Sequence, residues 1–174
     1  MTVVFQIPEL ETDRLRMRAP TLGDWPALSD FYASDRSKFV GGPMTAEQTW
    51  RTLATETGHW ALRGFGRWAL EEKATGDYIG NCGLWEPDGF PEMELGWDLL
   101  ANATGKGYAT EAGAAARAHA YNTLGRTTLM SMIAPGNAGS KAVATRLGAA
   151  YDKMFTHVTF GEVEVWRHPG PDAL

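Results

Sequence analysis

Asn102-Ala103-Thr104-Gly105-Lys106-Gly107-Tyr108-Ala109-Thr110-Glu111-Ala112 decides how this chain is read. The stretch follows a strand-like segment, residues 93–99, and runs into an alanine-rich, helix-like one, residues 110–123. A glycine turn that opens a helix leaves backbone N–H groups without partners and adds the positive end of the helix dipole. Together these seat phosphate oxygens. The sequence therefore predicts a phosphate-bearing, nucleotide-like ligand over residues 102–108.

Bulk properties narrow the class. The 174 residues suffice for one domain with a real core, expected to span 1–174. A net charge of −5 argues against a general nucleic-acid binder. The single cysteine, Cys82, excludes an intramolecular disulfide and fits a reducing compartment. No apolar run reaches membrane-spanning length, and residues 1–15 lack the basic start and apolar centre of a secretory signal, so a cytoplasmic protein with no membrane partner is expected. His59, His119, His157 and His168 are scattered and have no cysteine companions, so no metal site is expected. Cys82, in a strand-like run beside Gly83, reads as a packing residue. The seven tryptophans read as core and cleft walls.

Outward from the glycine turn, the chain divides by its punctuation. Residues 14–18 alternate Arg-Leu-Arg-Met-Arg, as in a half-buried strand. Thr21-x-x-Asp24 and Thr45-x-x-Gln48 are capping boxes that open a short helix to Tyr32 and a longer one to about Leu62. Residues 67–72 and 78–85 form a hairpin around Thr75-Gly76-Asp77. After the 110–123 helix come a strand at 127–133, a short helix at 140–147 ended by Gly148, and a hairpin of 154–160 with 162–167. The order β-α-α-β-β-β-α-β-α-β-β predicts an α/β (α+β mixed) fold with a mostly antiparallel sheet, one parallel pair across the 110–123 helix, and helices on both faces.

Three phosphate loops compete for residues 102–108. A P-loop requires Gly-x-x-x-x-Gly-Lys-Ser/Thr, but Leu100 stands five before Gly105 and Gly107 follows Lys106. A dinucleotide fingerprint requires a third glycine where Thr110 stands. The third pattern, Gln/Arg-x-x-Gly-x-Gly/Ala, is met except at Asn102. It is the pyrophosphate loop of acetyl-CoA-dependent N-acetyltransferases.

The chain resembles that GNAT superfamily over nearly its whole length, and in particular its Rim-type branch of ribosomal-protein N-terminal acetyltransferases. The resemblance rests on Glu11-Thr-Asp-Arg14-Leu15-Arg-Met-Arg18, Thr75-Gly76-Asp-Tyr-Ile79-Gly80-Asn-Cys-Gly83-Leu84 and Glu94-Leu-Gly-Trp97-Asp-Leu. It continues through Gly105-Lys-Gly107-Tyr-Ala-Thr-Glu111-Ala112, and through Asn137-x-x-Ser140 followed by Arg146-Leu147-Gly148-Ala149. Asn102 departs from the usual Gln or Arg, and Thr104 stands where an aromatic residue or arginine is common.

The resemblance implies a sheet splayed between its fourth and fifth strands, with acetyl-CoA as co-substrate. It implies that Asn102, Thr104, Gly105, Lys106, Gly107, Tyr108 and Ala109 take the pyrophosphate. Trp97, Asp98 and Leu99 would line the pantetheine arm, with Asn137 reaching it. A backbone N–H near Asp98 or Leu99 would meet the oxyanion. Some members use a tyrosine in the last short helix as the acid; residues 140–147 contain none, and Ser140 takes that place as candidate. An amine must lose a proton before it attacks. Glu94 is the first candidate base, with Glu92 and Asp98 expected on its face of the strand and with Glu86 and His59 as further candidates. For each, a structural role competes: a paired strand carboxylate for Glu94, a helix cap for Ser140, a turn residue for Asn137.

The acceptor is expected among residues 39–44, 60–66 and 85–90, whose aromatic and acidic side chains suit a cationic amine. A protein N-terminal α-amine, a polyamine, an antibiotic and an amino acid all fit, and a low-turnover acyl-CoA sensor is the alternative from another class. The resemblance also suggests a homodimer, joined at the C-terminal hairpin.

Overall fold

The computed structural model describes residues 6–174, so the first five of the residues searched for a secretory signal lie outside the described ones. The chain enters through two short strands, β1 (Leu10–Glu11) and β2 (Leu15–Arg18). In β2, Leu15 and Met17 are fully buried while the alternating arginines face outward. Helix α1 (Trp25–Ala33) follows a 3-10 turn at Leu22–Asp24. The Thr21/Asp24 box is present, but it closes that turn and not the α-helix itself. Asp24 is drawn aside by Arg18, whose guanidinium donates to both carboxylate oxygens at 2.7 and 2.9 Å.

Helix α2 (Ala46–Arg63) has the reciprocal Thr45/Gln48 cap, and Gly64, at φ 79°, ends it in the left-handed conformation. Strands β3 (Arg67–Glu72), β4 (Tyr78–Trp85) and β5 (Glu94–Leu99) form a meander. Helix α3 (Tyr108–Asn122) then crosses to β6 (Met130–Ile133), and α4 (Ala138–Arg146) leads to the hairpin of β7 (Ala150–His157) and β8 (Gly161–Arg167).

The eight strands among the described residues form one sheet, ordered β1-β2-β3-β4-β5-β6-β8-β7. Every pairing is antiparallel except β5 with β6, which joins through the single pair Glu94↔Met130. The sheet therefore splays between β5 and β6, the fourth and fifth strands of the sequence reading, which does not include the two-residue β1. On one face lies α3, whose Ala112, Ala116 and Ala120 are fully buried; these small side chains let the helix lie close over the sheet. α1 and α2 form a second cluster around Leu28, Phe31, Tyr32 and Leu53.

Several boundaries differ from expectation; α4, for one, begins at Ala138 and not Ser140, because Asn137 is its cap. α3 begins at Tyr108 and not Thr110, because Gly107 already turns the chain into the helix. β6 begins at Met130 and not Thr127, where pairing with β8 starts. β7 begins at Ala150 and not Met154, because an edge strand exposed on both faces has no burial alternation to mark its start. Among the described residues, no helix is long and apolar enough to cross a membrane.

Candidate active site

The splay follows from where the hydrogen bonds stop. The Met130 amide donates to the Met93 carbonyl at 3.3 Å, and the Ser131 hydroxyl donates to the Leu95 carbonyl at 2.6 Å. In a strand, the N–H and C=O groups of alternate residues face the same edge. Since the carbonyls of Met93 and Leu95 face β6, the backbone groups of Trp97 and Leu99 do too, and those of Asp98 face β4. β6 has by then diverged, so Trp97 and Leu99 present main-chain donors and acceptors to the gap. Asp98 does not; of the two positions expected to offer an oxyanion donor, the alternation retains Leu99 and brings in Trp97.

Beyond β5 the chain makes a 3-10 turn at Ala101–Ala103, and Gly105 (φ 76°) and Gly107 (φ 84°) swing it into α3. Only glycine adopts these left-handed angles without strain. The helix-capping position is Gly107, so no side chain covers the first N–H groups of α3, and the first helical bond is from the Glu111 amide to the Gly107 carbonyl at 3.0 Å. The loop is braced from outside. Arg14 donates to the Lys106 carbonyl at 2.9 Å and lies 4.5 Å over the Tyr108 ring, while the Tyr108 hydroxyl donates to Glu72.

Splay and turn open into one cleft of about 700 Å³. Trp97, Asp98, Leu99, Thr104, Gly105, Lys106, Gly107, Tyr108, Ala109, Asn137 and Ser140 all line it. Asn102, exposed in the 3-10 turn, and Glu94, nearer the start of β5, do not. Thr110 also lines it, and its buried hydroxyl has no hydrogen-bond partner among the described residues. Asn137 caps α4, its Oδ1 accepting from the Ser140 amide at 3.1 Å, which leaves its Nδ2 as a donor. The cap is thus Asn137 and not Ser140, whose hydroxyl makes no hydrogen bond among the described residues.

Glu94 and Asp98 share a face of β5 but serve different surroundings. Glu94 Oε1 accepts from the Met132 amide at 3.2 Å, and burial pushes its carboxyl up to about 7. A Cβ placed on Gly96 would meet only the Glu94 carboxylate, at 3.7 Å, so the space over Gly96 is open and one wall of it is acidic. Asp98 is tied into a buried network: Arg67 donates to it and, at 3.0 Å, to Glu56, and Asn81 donates to its other oxygen at 3.4 Å. Burial opposes the Arg67 charge, but the two carboxylates outweigh it and hold the guanidinium well above its ordinary range.

The further candidates are engaged elsewhere. Glu92 precedes β5 and pairs with Arg167. The Glu86 amide donates to His59 Nε2 at 3.2 Å, so His59 Nδ1 carries the proton and donates to the Phe65 carbonyl at 2.7 Å. Burial lowers the His59 pKa and keeps it neutral. Cys82 is fully buried and its thiol is pushed up to about 12, which leaves it unreactive. No group of three or more His, Cys, Asp or Glu that would hold a metal occurs among the described residues.

A family model described as an acetyltransferase (GNAT) domain matches residues 14–150. The chain belongs to the GNAT acetyltransferase family. It is 30% identical over 154 residues to the uncharacterized protein YkkB of Bacillus subtilis (strain 168), covering 83% of this chain and 87% of that one. An acetyltransferase from Agrobacterium tumefaciens strain C58 superposes with a TM-score of 0.87 at 38% identity, covering 97% and 98% of the two chains. The RimL ribosomal L7/L12 α-N-protein acetyltransferase, solved in complex with coenzyme A, shares the fold at a TM-score of 0.74 and 15% identity, covering 91% and 95%. As a GNAT acetyltransferase the chain is a transferase with acetyl-CoA as its co-substrate.

Several walls of this GNAT cleft escape sequence reasoning. Phe31 and Arg36 reach it from α1 and the turn that follows, and Val143 from α4. No local motif marks them, because they join the site only through the packing of distant elements.

Proposed function

We propose that this chain transfers the acetyl group of acetyl-CoA to a primary amine by direct attack, with Glu94 as the base. The observation that carries this reading is the open, acidic space over Gly96, placed where β5 and β6 part. An incoming ammonium there loses its proton to the Glu94 carboxylate, directly or through one water. The freed amine attacks the thioester carbonyl, and a main-chain N–H of Trp97 or Leu99 meets the oxyanion. As the carbon–sulfur bond breaks, the nitrogen sheds its remaining extra proton to the Ser140 oxygen while the Ser140 hydroxyl gives its own to the departing thiolate, so the serine ends as it began.

The cleft fits the co-substrate's chemistry. The N–H groups between Thr104 and Ala109, beside Lys106, form the cradle for the pyrophosphate, and the orphaned Thr110 hydroxyl lies in the same wall. The edges of Trp97 and Leu99 and the Asn137 Nδ2 are donors and acceptors for the amides of the pantetheine arm. On the acceptor side, the Phe160 ring lies 3.6 Å from a Cβ placed on Gly41, and Phe90 meets His157 edge-on at 5.1 Å, so the β7–β8 turn helps wall the mouth.

The test is thiol release from acetyl-CoA with a panel of peptide N-termini, polyamines, aminoglycosides and amino acids. Transfer to one class, lost in Glu94→Gln, is the expected result. Tight acetyl-CoA binding with no transfer to any amine overturns the enzymatic reading in favour of an acyl-CoA sensor. The suggested homodimer has a candidate surface in edge strand β7, where Tyr151 and Met154 are about half exposed, and sedimentation tests it.

A further inference from the structure

Past a single backbone pair, side chains carry the contact between β5 and β6: the buried Ser131 and His168 and the half-buried Glu94. After the single Glu94↔Met130 pair, β5 and β6 stay joined by two bonds: Ser131 Oγ to the Leu95 carbonyl at 2.6 Å, and the Met132 amide to Glu94 Oε1 at 3.2 Å. A hydroxyl has one hydrogen. Ser131 gives its own to Leu95, so the His168 Nε2 that lies 2.9 Å away must be the donor of the next bond. The order His168 Nε2–H to Ser131 Oγ, and Ser131 Oγ–H to Leu95 carbonyl, is therefore fixed. It leaves His168 Nδ1 as a bare acceptor, and that atom is buried without a partner among the described residues. Ser131 and His168 are each 2% exposed, and burial lowers the imidazole to about 4, so it stays neutral across the working range.

We propose that Ser131 and His168 are positioning residues for acetyl transfer: their relay anchors the Leu95 carbonyl and so sets where the groove for acetyl-CoA begins. Leu95 stands two residues before Trp97, the first residue of β5 whose backbone groups face the gap without a strand partner. The Leu95 carbonyl shares its peptide plane with the Gly96 amide. Fixing that plane also fixes the floor of the open space beside Glu94. The relay runs from the residue just past β8 through β6 to β5, so it joins both sides of the splay. Without it, the link remaining past the Glu94↔Met130 pair among the described residues is the Met132 amide's bond to the Glu94 carboxylate, which the reaction itself must protonate.

This inference rests on the proposed use of the splay by acetyl-CoA, and its test separates the two. Calorimetric affinity for acetyl-CoA, melting temperature and hydrogen exchange of residues 93–99 are measured for the wild type, Ser131→Ala and Ser131→Thr. Loss of one anchoring hydrogen bond should weaken acetyl-CoA about tenfold in Ser131→Ala. It should also speed exchange across residues 93–99. Ser131→Thr, which keeps the hydroxyl, should restore affinity to within about twofold. His168→Phe, which keeps the bulk and removes the donor, should repeat the loss if the extra methyl of Ser131→Thr proves too large for that variant to fold. Ser131→Ala that melts lower yet binds acetyl-CoA as the wild type does makes the relay merely structural and overturns the inference. A wild type that binds acetyl-CoA but acetylates no amine overturns the function proposed above and leaves the relay standing.

Discussion

Arg14, just before β2, reaches Glu111 in the first turn of α3, its Nε donating to Glu111 Oε2 at 2.7 Å. Glu111 Oε1 accepts in turn from the Arg14 amide at 2.9 Å and the Thr12 hydroxyl at 2.6 Å. Burial works against the Glu111 charge, but these bonds outweigh it and hold the carboxyl below its ordinary range. With a further bond to the Lys106 carbonyl, the arginine ties the middle of the Gly105–Gly107 turn to the first turn of α3 before any ligand arrives. Preorganisation of this kind lowers the ordering cost of binding.

Arg14→Ala should therefore weaken acetyl-CoA about tenfold while changing the melting temperature little, since the side chain is half exposed. Arg14→Lys should not rescue, because one ammonium cannot replace the fork that bonds both the carboxylate and the loop carbonyl. Isothermal titration with acetyl-CoA measures both; an unchanged affinity in Arg14→Ala would show the loop is rigid without its brace.

Glu94 links pH to rate and to stability with opposite signs. As a base it must be ionised, so kcat should climb as pH rises through about 7, and Glu94→Gln should remove that limb and cost about 10²- to 10⁴-fold. For stability, the folded carboxyl binds its proton more tightly than the unfolded one. The contribution is complete below about 4.5 and is lost as pH rises through 7. Glu94→Gln should thus be more stable than the wild type above pH 7, by about 1–3 kcal/mol. Urea titrations of both proteins across that window read the sign directly.

How far each part is legible in sequence depends on how far apart its pieces lie. The proposed cradle is contiguous, residues 104–109, and rests on main-chain groups, so the glycine spacing points to a phosphate site without help from distant residues. α2, β3 and β4 are likewise bounded by local signals: the Thr45/Gln48 box, Gly64, and the Gly76 turn with φ 75°. Arg14 and Glu111 are 97 residues apart; each stands in a stretch that carries the family resemblance, and neither stretch shows that they meet. The Ser131–His168 pair spans 37 residues and carries no motif. Asp98 shows a different failure. The alternation of β5 puts it on the face of Glu94 as expected, yet no periodicity reveals that Arg67 already occupies it.

Gly96 should control the acceptor and not the donor. Since a Cβ there meets only the Glu94 carboxylate at 3.7 Å, Gly96→Ala is sterically tolerated and should fold. The added methyl enters the space assigned to the amine, and a valine fills more of it. The expected pattern is a rise in the acceptor KM or a fall in kcat that deepens from Ala to Val, with acetyl-CoA affinity held within about twofold. Steady-state kinetics against titration of the donor separates the two. Equal losses for both substrates would mean that acetyl-CoA, and not the acceptor, lies over Gly96.

Arg67 neutralises two carboxylates that face each other across α2 and β5, and its removal should be the most damaging single change near the cleft. Side-chain exposure is 13% for Arg67, 5% for Glu56 and 3% for Asp98, so Arg67→Met leaves two buried acids without a cation. Such uncompensated burial costs about 3–5 kcal/mol. Burial already raises the Glu56 carboxyl, and without Arg67 it should rise further. A raised folded pKa favours the folded state at low pH, so the deficit of Arg67→Met should shrink as pH falls and Glu56 takes up a proton. Adding Glu56→Gln to Arg67→Met should recover part of the loss at neutral pH and flatten that dependence. The double-mutant cycle, run by urea unfolding at two pH values, tests the coupling; additive effects of the two substitutions would mean that Arg67 is balanced by Asp98 alone.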